Sequence, residues 1–199
     1  MGNASSQAGD LSVLKDKRVV VGVTGGIAAY KTAMLVSRLA QAGAHVTVVM
    51  TESAARFVTP LTFQALSARP VYTSAWDHVE SKDPQHISLA TAADLAVVAP
   101  CTMDCMAKLA CGITEDVVCL ILSAIDRQRT PVILAPAMNS VMWAQPATQR
   151  NATTLTQDGY SLVGPADGWQ ACRHVGPGRM VEPDDLLAEI VRRLAGAGH

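Results

Sequence analysis

Short apolar runs alternate along the chain with longer segments in which apolar residues recur every three or four positions. The runs predict β-strands over residues 18–24, 45–50, 94–99 and 131–135, with a short strand at 161–163. The first run, RVVVGVT, is apolar at nearly every position, which is typical of a strand buried on both faces of a parallel sheet.

Helices are predicted between these strands, because apolar residues there fall on one face of a 3.6-residue period. The helical segments cover residues 26–42, 53–57, 86–92, 102–125, 140–158 and 184–195. Gly43 is expected to end the first helix, and Gly112 to break the long fourth segment. Residues 164–181 are rich in glycine and proline and predict a loop. This alternation predicts an α/β fold, a three-layer doubly wound parallel sheet with Rossmann-like topology.

The domain organisation expected from the sequence is one folded domain behind a short tail. Residues 1–16 are predicted to form a disordered tail, and residues 17–199 a single domain. Because 49% of the residues are hydrophobic and only 17% are charged, some surface is expected to be buried against another copy, although a large parallel-sheet core gives a similar composition.

Charge and cysteine content exclude several classes of function. The net charge of -1 gives no electrostatic attraction for nucleic acid or for an anionic membrane. No apolar run reaches the roughly 18 residues of a membrane-spanning helix, and no signal-peptide pattern is present, so a cytoplasmic protein is predicted. The five cysteines form an odd set whose spacings match no zinc template, so neither a disulfide framework nor a metal site is predicted.

Ligands of doubly wound sheets bind at the carboxyl ends of the strands, so the segments that follow the strands carry the candidate chemistry. Gly25, Gly26 and Ile27 follow the first strand and open a helix, where free amides favour a phosphate group. A Gly-Gly turn also occurs for backbone reasons alone. Thr51 and Ser53 follow the second strand, where their hydroxyls either cap the next helix or bind the same phosphate.

Polar residues also follow the next two strands. Thr102, Met103 and Asp104 come after the third strand, and Asn139 comes after the fourth. Both strands end in Ala-Pro, which predicts two tight turns bordering one crevice. The amide of Asn139 offers donors and an acceptor to a ligand, or it caps the following helix. Because Glu52 is placed where a ribose-binding acid is often found, these residues alone do not separate a mononucleotide from a dinucleotide.

Two residues suit proton transfer. His86 stands at the start of a predicted helix and has the chemistry of an acid or base near neutral pH, although isolated histidines are more often structural. Cys172 is flanked by Arg173 and His174 in the glycine-rich loop. Nearby cations lower the pKa of a thiol, and such a loop can close over a site, but an ordinary loop thiol fits the pattern equally well.

Five segments, in order along the chain, resemble the family of flavin-dependent cysteine decarboxylases. They are TGGIAAYK at 24–31, the turn at 51–53, HISLATAADLAVVAP at 86–100, PAMNSVMW at 136–143 and ACRHVGPGRMVEP at 171–183. The resemblance runs from residue 17 to residue 194, and five motifs in matching order are far more specific than any one of them.

The resemblance implies a Rossmann-like flavoprotein that uses FMN to decarboxylate 4'-phosphopantothenoyl-L-cysteine to 4'-phosphopantetheine in coenzyme A biosynthesis. The implied FMN-binding residues are Gly25, Gly26, Ile27, Thr51, Ser53, Thr102, Met103, Asp104, Cys105 and Ala137. His86 corresponds to the family's active-site histidine, and Cys172 to the cysteine of a flap that covers the substrate and supplies a proton. Asn139 corresponds to the residue that binds the substrate carboxylate, and Met142 lies in the same motif. The family also implies a homo-oligomer, a trimer or a dodecamer, with sites shared between copies.

One departure from the family and three alternative functions stay open. Asp104 stands where the family usually has asparagine, so either Lys108 pairs with it one helical turn on or the flavin potential is altered. The alternatives are a peptidyl-cysteine oxidative decarboxylase, a flavin prenyltransferase and a non-catalytic flavin-binding regulator. The PAMNSVMW motif and the flap with Cys172 favour the coenzyme A reaction.

Overall fold

The computed structural model of the protein describes residues 10–76, 85–171 and 173–196. Its central strands are β1 (Arg18–Val23), β2 (His45–Met50), β3 (Val71–Tyr72), β4 (Leu95–Cys101), β5 (Val132–Pro136) and β6 (Ser161–Leu162). They form one parallel sheet in the order β3-β2-β1-β4-β5-β6. The predicted strands are therefore confirmed, with β3 added at one edge.

Helices cover both faces of the sheet and give the molecule three layers. They are α1 (Ala29–Gln41), α2 (Glu52–Ala55), α3 (Pro60–Ser67), α4 (Gln85–Ala92), α5 (Met103–Cys111), α6 (Val117–Ala124), α7 (Ser140–Ala144), α8 (Pro146–Gln157) and α9 (Pro183–Gly196). On one face, α1, α3 and α9 bury Leu35, Phe63 and Ile190 against the sheet. On the other, α4, α5, α6 and α8 enclose a second core around Met106 and Leu122. The predicted doubly wound α/β fold is confirmed.

Helix boundaries follow the signals in the sequence. Gly43 has a φ of 87° just after α1, a backbone conformation that favours glycine and ends the helix. Gly112 ends α5 in the same left-handed region, with a φ of 69°. The next helix begins after Asp116, whose carboxylate accepts a hydrogen bond from the N–H of Cys119 at 2.9 Å. The long helical segment is therefore two helices, broken where it was predicted to break.

The predicted start of the folded domain is wrong by several residues. The tail was expected to extend through residue 16, but residues 11–14 form a 3-10 helix and Leu14 is completely buried in the first core. Burial of this leucine draws the preceding turn into the domain, because removing an apolar side chain from water stabilises the fold. Residues 1–9 of the predicted tail lie outside the described residues.

Two further elements depart from the prediction. Helix α3 was not predicted because Phe63 is its one fully buried side chain, whereas Leu61 is 70% exposed, so it lacks a clear apolar face. In the segment predicted as a loop, β7 (Ala166–Trp169) and β8 (Val175–Arg179) form an antiparallel hairpin. The glycines in these strands have low strand propensity, so the local pattern predicts a loop although the backbones pair.

The topology places a crevice between β1 and β4. These strands are neighbours, but the chain leaves β1 toward β2 and β3 on one side and returns to build β5 and β6 on the other. Loops at the carboxyl ends of β1 and β4 therefore diverge, which leaves room for a ligand. In the described part of the chain, no helix is long and apolar enough to cross a membrane.

Candidate functional site

A cavity of about 800 Å³ opens at the carboxyl ends of β1, β4 and β5. The predicted site residues that line it are Gly25, Gly26, Ile27, Ser53, Thr102, Met103, Asp104, Ala137, Asn139 and Met142. The β7–β8 hairpin supplies another wall through Trp169, Gln170 and Arg179. The crevice predicted at the switch point of the sheet is thus present, and most of the residues implied by the family resemblance meet in it.

The loop after β1 exposes its backbone to the cavity. A Cβ atom on Gly25 would lie 2.4 Å from Oγ of Ser53, so a larger residue cannot take this position without moving the serine. Neither the N–H of Gly26 nor that of Ile27 has an acceptor among the residues that the structure describes. Amide groups directed out of the start of a helix favour an anion such as a phosphate.

Thr24 joins this loop to the loop after β4. Its hydroxyl donates to the carbonyl oxygen of Pro100 at 2.7 Å and accepts a hydrogen bond from the N–H of Thr102 at 3.1 Å. The hydroxyl of Thr102 in turn accepts from the N–H of Cys105 at 3.3 Å and caps α5. These bonds hold the two loops at a fixed separation across the crevice.

The hydroxyls after β2 have different surroundings. Oγ1 of Thr51 accepts a hydrogen bond from the N–H of Ala54 at 3.2 Å. Thr51 therefore caps α2, which is one of the two roles predicted for it. Oγ of Ser53 lies 3.1 Å from the Thr51 hydroxyl. Thr51 borders an adjoining cavity of about 350 Å³, whereas Ser53 borders both cavities. Ser53 is therefore the residue of this pair that reaches the larger cavity.

Asp104 is paired with a cation. The Nζ of Lys108 lies 3.1 Å from the Asp104 carboxylate, 2.8 Å from that of Glu115 and 3.2 Å from that of Asp116. The hydrogen bond with Glu115 is the largest of the effects that raise the pKa of Lys108 above its usual range. Because the Asp104 side chain is also 71% exposed, the carboxylate is not a buried unpaired charge.

Asn139 caps a helix in the wall of the cavity. Its Oδ1 accepts a hydrogen bond from the N–H of Val141 at 2.8 Å, which starts α7 and fixes the plane of the amide group. The N–H of the next residue, Ser140, donates to Oε1 of Gln170 in the hairpin at 3.2 Å. The helix-capping interpretation of Asn139 is thus confirmed, and its side chain nevertheless lines the cavity.

The hairpin packs tightly onto the loop after β5. The N–H of Met138 donates to the carbonyl oxygen of Gly178 at 2.9 Å. A Cβ atom on Gly178 would lie 2.3 Å from the carbonyl oxygen of Met138, and its φ of 142° favours glycine as well. Nε2 of Gln170 donates to the carbonyl oxygens of Gly176 and Pro177 at 3.2 and 3.0 Å. These contacts fix the hairpin over one end of the cavity.

Two cations at this end share one carboxylate. Nζ of Lys31 lies 2.9 Å from Oε1 of Glu182, and Nη1 of Arg179 lies 3.2 Å from the same oxygen. The hydrogen bond from Lys31 lowers the pKa of Glu182. Lys31 and Arg179 both line the cavity, so this end of it has an excess of positive charge.

Besides Thr51, two described residues that were predicted for the site, His86 and Cys105, do not line the cavity. His86 lies in α4 and is absent from the described lining. Cys105 is buried in the second core, where its hydrogen bond with Cys101, more than any other contact, raises the pKa of its thiol. A protonated, buried thiol is inert, so Cys105 can support the site only through its backbone and packing. Cys172 lies outside the described residues.

Several lining residues were not singled out from the sequence. They are Ala28, Tyr30, Lys31, Met138, Trp169, Gln170, Ala171, Gly178, Arg179 and Met180. All but Trp169 stand within the quoted motifs or directly beside them. The first three follow the Gly-Gly turn, Met138 lies in PAMNSVMW, and the rest belong to the segment around 171–183. The β7–β8 pairing brings Trp169 and Arg179 to the same wall, and no local pattern in the sequence indicates that pairing.

The fold and the cavity define a doubly wound α/β protein with a loop of backbone amides, unbonded within the described part of the chain, at the switch point of its sheet. The profile of the family described as Flavoprotein matches residues 10–195. The chain belongs to the Flavoprotein family.

Individual relatives narrow the comparison. The chain is 47% identical, over 178 residues, to the coenzyme A biosynthesis bifunctional protein CoaBC of Vibrio vulnificus strain YJ016. The aligned region covers 89% of this chain and 44% of that protein. The chain therefore spans less than half the length of this curated relative. A mutant PPC decarboxylase solved with pantothenoylaminoethenethiol superposes with a TM-score of 0.80 at 30% identity, over 92% of this chain and all of the other. The FMN-binding protein AtHal3 superposes with a TM-score of 0.79 at 30% identity, over 93% of this chain and 100% of that one.

Proposed function

We propose that this protein is an FMN-dependent carboxy-lyase that converts 4'-phosphopantothenoyl-L-cysteine to 4'-phosphopantetheine in coenzyme A biosynthesis. The observation that carries the proposal is the shared cavity, in which the amides after β1 and the amide side chain of Asn139 line the same space. The similarity to CoaBC and to PPC decarboxylase supports this substrate. The cytoplasm is the compartment we expect, and the decarboxylase domain begins at or before residue 10.

The described residues fit FMN. The loop of Gly25, Gly26 and Ile27, with Ser53 beside it, would hold the phosphate, because its amides face outward and its glycines let the ligand approach the backbone. Thr51, whose hydroxyl lies 3.1 Å from that of Ser53, would support the same phosphate side. Thr102, Met103, Asp104 and Ala137 would border the flavin ring, with Cys105 supporting that wall. When bound, FMN supplies the two-electron chemistry that makes the carboxylate next to the cysteine thiol easy to lose.

Asn139 orients the substrate. Because its Oδ1 is held by the N–H of Val141, its Nδ2 points in a fixed direction, and we assign that group to donate to the substrate carboxylate. Met142 lies one helical turn further along α7 and lines the same cavity, where its thioether packs against the substrate. The hairpin residue Trp169 also lines the cavity, and we assign its indole to shield the bound substrate from water.

Cys172 is assigned the final proton transfer. It lies outside the described residues, between hairpin strands that border the cavity. Cys172→Ser should still release CO2 but accumulate the enethiol, as detected by mass spectrometry of the products. Normal formation of 4'-phosphopantetheine by this variant would remove Cys172 from the mechanism.

We also propose a homo-oligomer, a trimer or a dodecamer, in which His86 serves the cavity of a neighbouring copy. Helices α1 and α3 pack against each other. Large apolar side chains on these helices and in the loops that precede them are exposed, which is typical of a surface that another subunit covers. These residues are Ile27 at 59%, Tyr30 at 55%, Met34 at 48%, Phe57 at 51% and Leu61 at 70% exposure.

If the site is shared, inactive His86→Asn and Asn139→Asp proteins should regain activity when unfolded and refolded together. No recovery from a mixture of normal oligomer size would contradict the shared site.

The cofactor can be tested before any turnover. The purified protein should be yellow, or become so with added FMN, and should release FMN and no FAD on denaturation. A colourless protein that takes up no FMN would overturn the proposed function.

A further inference from the structure

Arg179 offers a second anion-binding group at the hairpin end of the cavity. It is the last residue of β8, and its Nη1 lies 3.2 Å from Glu182. Its Nε is buried and has no hydrogen-bond partner among the residues that the structure describes. The Nε–H and Nη2 groups form one edge of the planar guanidinium, the edge that matches two oxygens of a phosphate or a carboxylate. The buried Nε–H of this edge is therefore left without an acceptor among the described residues.

The guanidinium is held in place and carries unbalanced charge. Gly168, opposite in the hairpin, lets the side chain lie over its backbone, because a Cβ atom there would approach Nε to 3.1 Å. Lys31 competes for the same Glu182 carboxylate at 2.9 Å, so two cations share a single anion. A guanidinium whose Nε–H is buried without an acceptor favours an anionic ligand, since a buried donor needs a partner.

This feature is separate from the amide loop after β1. That loop packs against Ser53, which follows β2, whereas the hairpin packs on Met138, which follows β5. The loop itself follows β1, and in the sheet order β1 and β5 are two strand spacings apart, or about 10 Å. The loop offers backbone amides and Arg179 a guanidinium edge, so the two would serve different anions.

Resting on the proposed function, we propose that Arg179 binds the 4'-phosphate of the substrate and makes the protein selective for phosphorylated over unphosphorylated pantetheine derivatives. A phosphate monoester is tetrahedral and doubly charged, and two of its oxygens can accept the two parallel N–H groups of the guanidinium edge, which an ammonium group cannot offer. Asn139 binds the reacting cysteine end, and Arg179 the distant phosphate end, so the remote contact would position the substrate for reaction.

Calorimetric titration with the product pair tests this assignment without turnover. The FMN-loaded protein should bind 4'-phosphopantetheine at least tenfold more tightly than pantetheine. In Arg179→Ala this ratio of dissociation constants should fall toward one, and in Arg179→Lys it should be intermediate. Arg192→Ala removes the same charge from an exposed arginine that pairs with Glu189 on α9, and it should leave the ratio unchanged. Thermal unfolding of each variant checks that the hairpin region is still folded.

Three outcomes would overturn the assignment. The first is a wild-type protein that binds both ligands equally, and the second is an Arg179→Ala protein that keeps the wild-type ratio. The third is an Arg179→Ala protein that binds FMN more weakly than the wild type does but binds riboflavin equally well. That result would mean that Arg179 binds the phosphate of the cofactor. If phosphate selectivity depends on Arg179 but no CO2 is released from the substrate, the assignment stands and the proposed reaction is wrong.

Discussion

Lys108 lies one helical turn after Asp104 on α5, with its Nζ 3.1 Å from the Asp104 carboxylate. The same Nζ pairs with Glu115 at 2.8 Å and Asp116 at 3.2 Å. A carboxylate is thus accommodated at the wall of the cavity because it is solvent-exposed and has a lysine ammonium beside it. Of the two explanations for Asp104 that the sequence left open, pairing is the one observed.

Replacing this cation should destabilise the fold. Lys108→Met leaves three carboxylates without their partner, and we expect the free energy of unfolding to fall by about 1–3 kcal/mol. Because the pKa of Lys108 is raised in the folded state, the stabilisation is complete below the ordinary lysine pKa of about 10.4 and is lost only as pH rises through the raised value. Urea unfolding at pH 7 and pH 9 should therefore show the same difference.

The matched control for this experiment is Lys15→Met, an exposed lysine that has no ion pair with any described residue. It should change stability by less than about 0.5 kcal/mol. A Lys108→Met protein as stable as the wild type, or a difference already gone at pH 9, would contradict the pairing.

The close approach of Gly25 to Ser53 should be required for FMN binding. Gly25→Ala places a Cβ atom 2.4 Å from Oγ of Ser53, which must push the amide loop away from the phosphate. We expect the dissociation constant of FMN, measured by flavin fluorescence, to rise at least about tenfold, or about 1.4 kcal/mol. In a Ser53→Gly background the same substitution should cost clearly less, since the clashing atoms are gone. Equal effects in both backgrounds would show that the contact is unimportant.

Docking of the hairpin should depend on Gly178. A Cβ atom there meets the carbonyl oxygen of Met138 at 2.3 Å, and φ is 142°, so Gly178→Ala should destabilise the protein by about 2–4 kcal/mol. Gly176→Ala, in the same strand, meets Ser140 no closer than 3.3 Å and serves as the control. Limited proteolysis should cleave the hairpin faster in Gly178→Ala alone. Similar cleavage of both variants would mean that the hairpin is not anchored at Gly178.

Asn139→Asp separates helix capping from substrate binding. Aspartate caps helices as well as asparagine does, so thermal stability should be nearly unchanged. A second carboxylate facing that of the substrate should nevertheless lower kcat/KM by about a hundredfold or more. Asn139→Ala, which loses the cap, should lose both stability and activity. An Asn139→Asp enzyme with normal kcat/KM would exclude Asn139 as the carboxylate-binding residue.

The sheet and the amide loop of the site were easier to predict from the sequence than the β7–β8 hairpin. Strands such as β1 and β4 are buried on both faces and therefore appear in the sequence as continuous apolar runs. The loop of Gly25 and Gly26 could be predicted as a ligand site because it directly follows the first of these runs. The hairpin could not be predicted, because its pairing joins residues such as Trp169 and Val175 through the backbone without an apolar alternation. Arg179 was missed for the same reason, since only that pairing directs it toward the cavity.

Mass spectrometry of the products tests the central claim most directly. The FMN-loaded protein is incubated with 4'-phosphopantothenoyl-L-cysteine and, in parallel, with a peptide that ends in cysteine. The account predicts release of CO2 and formation of 4'-phosphopantetheine from the first substrate, with no change in the peptide. Decarboxylation of the peptide alone, or no reaction with either substrate by a protein that holds FMN, would contradict it.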